Sequence, residues 1–195
     1  MRDRQEFFDK NEKAEKLGIS SSQWSLFGVV WPSSIVLAKY MLKKDCTNKK
    51  VLEIGCGIGL SSLLLNKQKV NITATDYHPE VQTFLNNNTK LNNDINIPFV
   101  LTNWTDTKNT ELLRFDIIIG SDLLYERDSA KILSNFINNH AKKSCTVILV
   151  DPKRGYEAKF SKYMLEFGFK STKEKSIVDK DISDDYKGNI NCFYR

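Results

Sequence analysis

The chain has 195 residues, of which 41% are hydrophobic and 27% are charged, a composition typical of one globular domain. No apolar run reaches the roughly 18 residues that cross a bilayer, and the charged start MRDRQEFFDK lacks the apolar stretch of a signal peptide. We therefore expect a cytoplasmic protein with no membrane segment. The four cysteines lie far apart and only two histidines accompany them, which argues against a metal site or a disulfide framework.

The formal charge of +5 is unevenly distributed along the chain. Residues 1–50 carry a net charge of +4, residues 51–150 carry −1 and residues 151–195 carry +2. A nucleic-acid-binding face concentrates Lys and Arg around its site, whereas the middle of this chain is not basic. The short clusters Lys43-Lys44, Lys49-Lys50 and Lys142-Lys143 are interpreted as solvated helix ends, with phosphate binding as the alternative.

Helical patterns come first in the chain. Residues 1–17 read as a charged helix, and residues 31–44 read as a second helix with Pro32 near its first turn. From residue 51 onward, β-branched runs alternate with amphipathic segments, which is typical of βαβ units in a doubly wound α/β sheet. The predicted strands are VLEI, VNITATD, IPFVL, FDIIIGSD, CTVILVD and NINCFYR. Helices are predicted over residues 60–69, 79–91, 128–143 and 156–167, and the polar stretch from Lys170 can hold one more strand.

A glycine-rich loop follows the first predicted strand. VLEI leads into Gly55-Cys56-Gly57-Ile58-Gly59 and then into the helical LSSLLLNK. Glycines at alternate positions let the backbone turn sharply and approach a ligand closely, because no Cβ intervenes. Asp76 ends the next strand, where a carboxylate can accept hydrogen bonds from two ribose hydroxyls. The pattern predicts a nucleotide cleft.

The spacing of these glycines separates two cofactor classes. A dinucleotide fingerprint, G-x-G-x-x-G, would need glycine at the position of Leu60, whereas this loop reads G-x-G-x-G. Glu53 lies just before the first glycine, where a carboxylate disfavours a pyrophosphate and suits the amino group of a sulfonium amino acid. The residues therefore favour S-adenosylmethionine over NAD.

These motifs resemble the class I, seven-β-strand S-adenosylmethionine-dependent methyltransferases, and more narrowly the family 16 group that contains protein lysine methyltransferases. The narrower resemblance depends on FGVVWPSSIVLAKYM from Phe27, VLEIGCGIGL from Val51, the pair Asn103-Trp104, and IIIGSDLLY ending at Tyr125. It covers roughly residues 25–168. It implies one Rossmann-like domain over residues 1–195, with a mostly parallel seven-stranded sheet and an antiparallel closing strand. Residues 1–50 would then form a helical extension over the cofactor cleft, and residues 51–195 the catalytic core.

The resemblance also implies roles for individual residues. The cofactor-binding set that it implies is Trp31, Glu53, Gly55, Gly57, Gly59, Asp76, Tyr77, Asn103, Trp104 and Ser121. In this set Glu53 and the glycines line the amino-acid end, Asp76 binds the ribose, and Trp104 lies beside the adenine. The catalytic pair that it implies is Asp122 and Tyr125 of the D-x-x-Y motif. No metal is implied.

Structural alternatives accompany several of these assignments. Trp104 can be a core-filling indole, Trp31 can fix the helix entry before Pro32, and Asp122 can cap a turn. His78 is expected to face solvent. The loop from Asp151 to Arg154 lies where members of the group differ most, so substrate identity stays open there.

The function implied is N-methylation of a protein side chain, with lysine favoured and histidine or arginine as alternatives. Nucleic-acid enzymes often carry N-P-P-Y or D-P-P-Y where this chain has SDLLY, and the absence of the prolines weakens that alternative. Small-molecule N-methylation and a catalytically silent cofactor-binding module stay open. The basic flanks favour a partner protein with an acidic surface, and we expect a monomer.

Overall fold

A computed structural model describes residues 16–20, 24–106, 112–126, 128–176, 181–182 and 186–195. The charged helix expected over residues 1–17 lies almost entirely outside these ranges. No helix within the described ranges combines the length and the apolarity needed to cross a bilayer.

Seven strands form one mixed sheet. They are β1 (Lys50–Ile54), β2 (Asn71–Asp76), β3 (Phe99–Leu101), β4 (Phe115–Ser121), β5 (Ala141–Asp151), β6 (Lys170–Lys175) and β7 (Asn189–Tyr194). Their order is β3-β2-β1-β4-β5-β7-β6, and all neighbours are parallel except β7, which runs antiparallel to β5 and to β6. The predicted α/β sheet and its antiparallel closing strand are therefore confirmed. The switch point of the sheet lies between β1 and β4, where the strand order reverses.

Five α-helices flank the sheet, one of them ahead of β1 and the others between successive strands. They are α1 (Pro32–Met41), α2 (Leu60–Lys67), α3 (Val81–Leu91), α4 (Ser129–His140) and α5 (Glu157–Glu166). All five were expected, but α4 ends at His140 and β5 begins at Ala141. Lys142 and Lys143 consequently lie in a strand, and Lys49-Lys50 stand at the start of β1, so the interpretation of these two pairs as helix ends is wrong. Pairing of Ala141 with Phe115 extends the sheet here, and Lys142 forms an ion pair of 2.7 Å with Asp116 on β4.

Two apolar layers cover the two faces of the sheet. One contains Leu37, Met41, Leu65 and Leu85 from α1, α2 and α3. The other contains Leu133, Ile137, Phe160 and Met164 from α4 and α5. Strand β1 is buried on both faces, because its successive side chains point to opposite layers.

The polar stretch after α5 forms the edge of the sheet. All six residues of β6 are exposed, and its sequence KSTKEK carries three lysines. Charged side chains on an edge strand discourage pairing with another chain, which accounts for a strand that has almost no apolar residues. Strand β7 is buried between β6 and β5, in keeping with its apolar positions.

Candidate active site

A cleft of about 320 Å³ opens at the carboxyl ends of β1, β2 and β4. Ligands of open α/β sheets bind in this place, at the switch point. The sequence-predicted residues that line it are Trp31, Gly55, Gly57, Asp76, Tyr77, Trp104, Ser121, Asp122 and Tyr125. An adjoining cleft of about 340 Å³ shares Gly55, Tyr77, Trp104 and Tyr125 with it and is also lined by Asn103. Of the predicted site residues, Glu53 and Gly59 line neither cleft.

The glycine loop takes the backbone conformation that its sequence requires. Gly55, Gly57 and Gly59 all have positive φ, at 57°, 51° and 70°. A Cβ on Gly57 would lie 2.9 Å from the carbonyl oxygen of Phe27, in the short 3-10 turn Ser25–Gly28. The 3-10 turn therefore packs directly on the loop, and only glycine leaves room for that contact.

Glu53 lies beneath the loop. It points toward α2, where its Oε2 accepts a hydrogen bond of 2.8 Å from the backbone N–H of Ser62 and another from the Ser62 hydroxyl. It thus satisfies a backbone donor in the first turn of α2, a place where a carboxylate also benefits from the helix dipole. Burial raises the pKa of Glu53 to about 7, although the hydrogen bonds from Ser62 act in the opposite direction. The contacts of Glu53 in the structure are thus with the helix that follows the loop.

Asp76 connects the end of β2 to the glycine loop. Its Oδ2 accepts from the backbone N–H of Gly57 at 2.9 Å, and its Oδ1 accepts from the backbone N–H of His78 at 2.9 Å. Each carboxylate oxygen has a second lone pair, so the side chain can still accept hydrogen bonds from a ligand in the cleft. Burial raises the pKa of Asp76, and these two backbone hydrogen bonds oppose the rise.

His78 differs from its prediction, because it is 2% exposed and does not face solvent. Its ring stacks on Phe27 with centroids 4.2 Å apart, and the ring of Trp24 lies 4.5 Å away. Trp24 and Phe27 thus cover the turn after β2. His78 and Phe27 both line the cleft and were not predicted as site residues. The apolar residues ahead of the V-W-P motif were the sequence signal for this cover.

Aromatic side chains form the walls of the cleft. Trp104 and Tyr77 stand at the boundary between the two adjoining clefts, which places flat ring surfaces beside both. Trp31 lies at the N-cap of α1 and donates from Nε1 to the carbonyl of Leu26 at 3.3 Å. Asn103 is exposed, and its amide oxygen accepts from the backbone N–H of Thr105 at 3.1 Å. The amide nitrogen of Asn103 can therefore serve as a hydrogen-bond donor to the edge of a nucleotide base.

The D-x-x-Y motif follows β4 directly. Asp122 has a φ of 58°, a left-handed conformation that Asp tolerates better than most residues, and its N–H donates to Val150 at 2.9 Å. The Asp122 carboxylate accepts a hydrogen bond of 2.6 Å from Nε of Arg154, which also lines the cleft. This hydrogen bond raises the pKa of Arg154. Partial desolvation, with nearby carboxylates as a smaller cause, raises the pKa of the Tyr125 phenol, so that hydroxyl keeps its proton at neutral pH.

Arg154 is the charged site residue that sequence reasoning missed. The loop from Asp151 to Arg154 had been singled out only as variable, and its pairing with Asp122 joins residues 32 positions apart. Among the described residues, no group of three or more His, Cys, Asp or Glu side chains is arranged to hold a metal ion. The four cysteines are free and buried.

The chain is similar in sequence to known protein methyltransferases. A family model described as lysine methyltransferase matches residues 11–167. The histone-arginine methyltransferase METTL23 of Xenopus laevis is 33% identical over 103 residues, which cover 50% of this chain and 44% of the relative. The electron transfer flavoprotein beta subunit lysine methyltransferase of Mus musculus is 28% identical over 147 residues, which cover 73% of this chain and 55% of the relative. The chain thus spans about half the length of these relatives.

A solved structure of similar fold is magnesium protoporphyrin IX methyltransferase from Synechocystis PCC 6803 with bound S-adenosylmethionine. It superposes with a TM-score of 0.63 at 19% sequence identity, covering 84% of this chain and 77% of that chain. At this identity the likeness concerns the fold, and it agrees with the seven-stranded sheet described above.

Proposed function

The chain belongs to the lysine methyltransferase family, and we propose that it transfers a methyl group from S-adenosylmethionine to a side-chain nitrogen of a protein, with lysine the favoured acceptor. The observation that carries this proposal is the shared cleft of Gly57, Asp76, Trp104, Asp122 and Tyr125. Two sets of residues meet there. One is the glycine loop together with the carboxylate of Asp76, which is proposed to bind the ribose, and the other is the D-x-x-Y motif at the end of β4.

The residues of the cleft fit an adenosine cofactor. The loop around Gly57 offers backbone without an intervening Cβ, and Asp76 offers carboxylate oxygens at the end of β2, where a ribose binds in doubly wound folds. Trp104 and Tyr77 provide ring surfaces for adenine, with Asn103 at the base edge. Trp31 and Ser121 complete the lining. We assign Glu53 and Gly59 an indirect part, since both support the start of α2 under the loop.

When bound, S-adenosylmethionine supplies a methyl group already activated by the positive sulfur. The chain has to hold an unprotonated nitrogen in line with it, an orientation effect worth up to about 7–11 kcal/mol in favourable cases. A lysine amine has an unperturbed pKa of about 10.4, and a carboxylate is a poor base for it. Asp122 therefore acts in aligning the nitrogen, and Tyr125 contributes a hydroxyl that keeps its proton. Loss of the amine proton to water is favoured by partial desolvation next to a cation.

Three observations bear on the acceptor. The family description names lysine, and the relatives' names include a lysine and an arginine enzyme. The cleft presents a carboxylate at Asp122, which suits a cationic side chain. The SDLLY motif lacks the prolines common in enzymes that act on nucleic-acid bases. Small-molecule methylation and a catalytically silent module remain as competing functions.

We further propose that residues 1–195 form one domain, in which residues 1–50 cover the cofactor cleft, and that the protein is a cytoplasmic monomer. The contact of Phe27 with the glycine loop supports the covering role. Four free, buried thiols suit a reducing compartment. The net charges of +4 before the core and +2 after residue 150 favour a partner with an acidic surface, and association should weaken with salt.

Calorimetric titration and a labelling assay test the proposed function. S-adenosylmethionine and S-adenosylhomocysteine should both bind, and NAD should not. Incubation with cofactor carrying a radiolabelled methyl group and a cell extract should label material that nuclease leaves intact and protease destroys. Hydrolysis of the labelled protein should release methyl-lysine. Binding without transfer to any acceptor would favour the silent module, and label confined to nucleic acid or small metabolites would contradict a protein acceptor.

A further inference from the structure

The Arg154 side chain lies at the part of the cleft formed by the D-x-x-Y motif. Its Nε donates to Oδ1 of Asp122 at 2.6 Å, and it lines the cavity together with Ser121 and Tyr125. The Asp122 side chain is only 9% exposed, whereas the Arg154 side chain is 41% exposed. Arg154 thus lies over the carboxylate from the solvent side.

The backbone determines this placement. In the register of β4 and β5, Ser121 pairs with Val150, so that Asp122 and Asp151 leave neighbouring parallel strands side by side. Asp151 is buried, and its Oδ1 accepts from the backbone N–H groups of Lys153 at 2.7 Å and Arg154 at 3.1 Å. These hydrogen bonds turn the chain back toward β4 just after the strand ends. The turn delivers the Arg154 side chain to Asp122.

We infer that the Arg154 side chain occupies the position beside Asp122 where the acceptor's cationic side chain binds, and that the acceptor displaces it. This inference rests on the proposed function, in which Asp122 aligns the acceptor nitrogen. Two cations cannot both pair closely with one carboxylate oxygen without repelling each other. Displacement is feasible because the Arg154 side chain is 41% exposed and contacts Asp122 through one N–O pair, and because the incoming cation takes over the pairing with the buried carboxylate.

Such an occupant lowers the apparent affinity for every acceptor. The apparent dissociation constant rises by the inverse of the fraction of molecules in which the position is open. If that fraction is about 0.1 to 0.3, removing Arg154 should lower the KM for the acceptor about three- to tenfold. Arg154 is then a specificity-determining residue, because only an acceptor that presents a cation to Asp122 forms a new ion pair in place of the one that it breaks.

The test compares three variants of the full chain. Arg154→Ala removes the cation, Arg154→Lys keeps a cation at the same position, and Lys153→Ala removes an exposed cation from the same loop with the same change in net charge. Initial rates of label transfer are measured against the concentration of extract protein, with the affinity for S-adenosylhomocysteine and the melting temperature as controls. We expect a three- to tenfold lower KM in Arg154→Ala alone, with similar cofactor affinity in all forms.

A second readout does not need turnover. The n-butylammonium ion, which reproduces the end of a lysine side chain, is titrated into protein saturated with S-adenosylhomocysteine and followed by NMR. It should bind Arg154→Ala several-fold more tightly than the unsubstituted chain or Lys153→Ala. If the unsubstituted chain labels no protein yet this difference appears, the proposed acceptor fails and the inference stands. If label transfer occurs but Arg154→Ala lowers kcat with no fall in KM, or changes neither readout, the inference is overturned.

Discussion

The carboxylate of Asp76 accepts a hydrogen bond from the backbone N–H of Gly57, with Oδ2 lying 2.9 Å from the nitrogen. The residue proposed to bind the ribose thus also fixes the loop proposed to surround the cofactor. Cofactor affinity should depend on both ends of this contact. The preformed loop saves part of the ordering cost that binding would otherwise include.

Asp76→Asn should weaken the binding of S-adenosylhomocysteine at least tenfold while leaving the chain folded. An amide keeps one acceptor oxygen but directs N–H donors at the Gly57 or His78 N–H group, so one of the two backbone hydrogen bonds is lost. Calorimetry measures the affinity. Asp45→Asn, an exposed position near the amino ends of β1 and β2 and thus away from the cleft, is the matched control. Equal affinities in both variants would contradict the role of Asp76.

Gly57→Ala should destabilise the chain more than Gly168→Ala does. Both glycines have positive φ, at 51° and 81°, so both substitutions bear the strain of a left-handed conformation, about 1–2 kcal/mol. Only at Gly57 would the new Cβ also meet a backbone oxygen, that of Phe27 at 2.9 Å, whereas nothing lies within 4 Å at Gly168. Denaturant unfolding should show the difference, and cofactor affinity should fall only in Gly57→Ala. Similar losses at both positions would mean that the Phe27 contact matters little.

Several features of the molecule could be predicted from the sequence because they are local. The spacing of β-branched runs identified the strands, and the glycines at alternate positions identified the loop. The contacts of His78 with Phe27, and of Arg154 with Asp122, could not be predicted in this way. They join segments about 30 to 50 residues apart, and the hydrophobic period of either segment contains no information about which distant partner it meets.

The boundary between α4 and β5 shows a second reason why part of the structure could not be predicted from the sequence. Lys142 and Lys143 follow the amphipathic helical pattern without a helix-breaking residue between, so the local sequence predicts that the helix continues through them. In the structure, pairing with Phe115 and the ion pair with Asp116 draw this stretch into the sheet. Tertiary contacts override local preference at such a junction.

Stability should fall with rising pH because of Glu53. Its pKa is about 7 in the folded chain against an ordinary value of 4.5, so the folded chain binds the proton more tightly than the unfolded chain. The contribution is therefore fully present below pH 4.5 and is lost as the pH rises through 7, by up to about 3 kcal/mol. Glu53→Gln cannot titrate and still offers an oxygen to the Ser62 N–H. The difference in unfolding free energy between the two forms should change between pH 5 and 8, and a constant difference would be the contrary result.

Asp122→Asn should reduce turnover by at least tenfold and leave cofactor affinity nearly unchanged. Asparagine tolerates the φ of 58° at this position as well as aspartate does, so the substitution removes the charge without adding backbone strain. Because Asp122 contacts the acceptor both before and during transfer, loss of its charge should lower kcat/KM for the acceptor through a lower kcat and a higher KM. Tyr125→Phe should also lower turnover, but by a smaller factor, since it removes one hydroxyl and keeps the ring.

The measurement for these two variants pairs initial rates of label transfer with calorimetric titration of S-adenosylhomocysteine. Asp128→Asn, an exposed position just ahead of α4, is the control for loss of a negative charge near the motif. If Asp122 only supported the turn after β4, its substitution would lower the melting temperature and cofactor affinity along with turnover. A selective loss of turnover is the outcome that distinguishes alignment of the acceptor from support of the fold, because the hydrogen bonds of Asp76 with Gly57 and His78 do not involve Asp122.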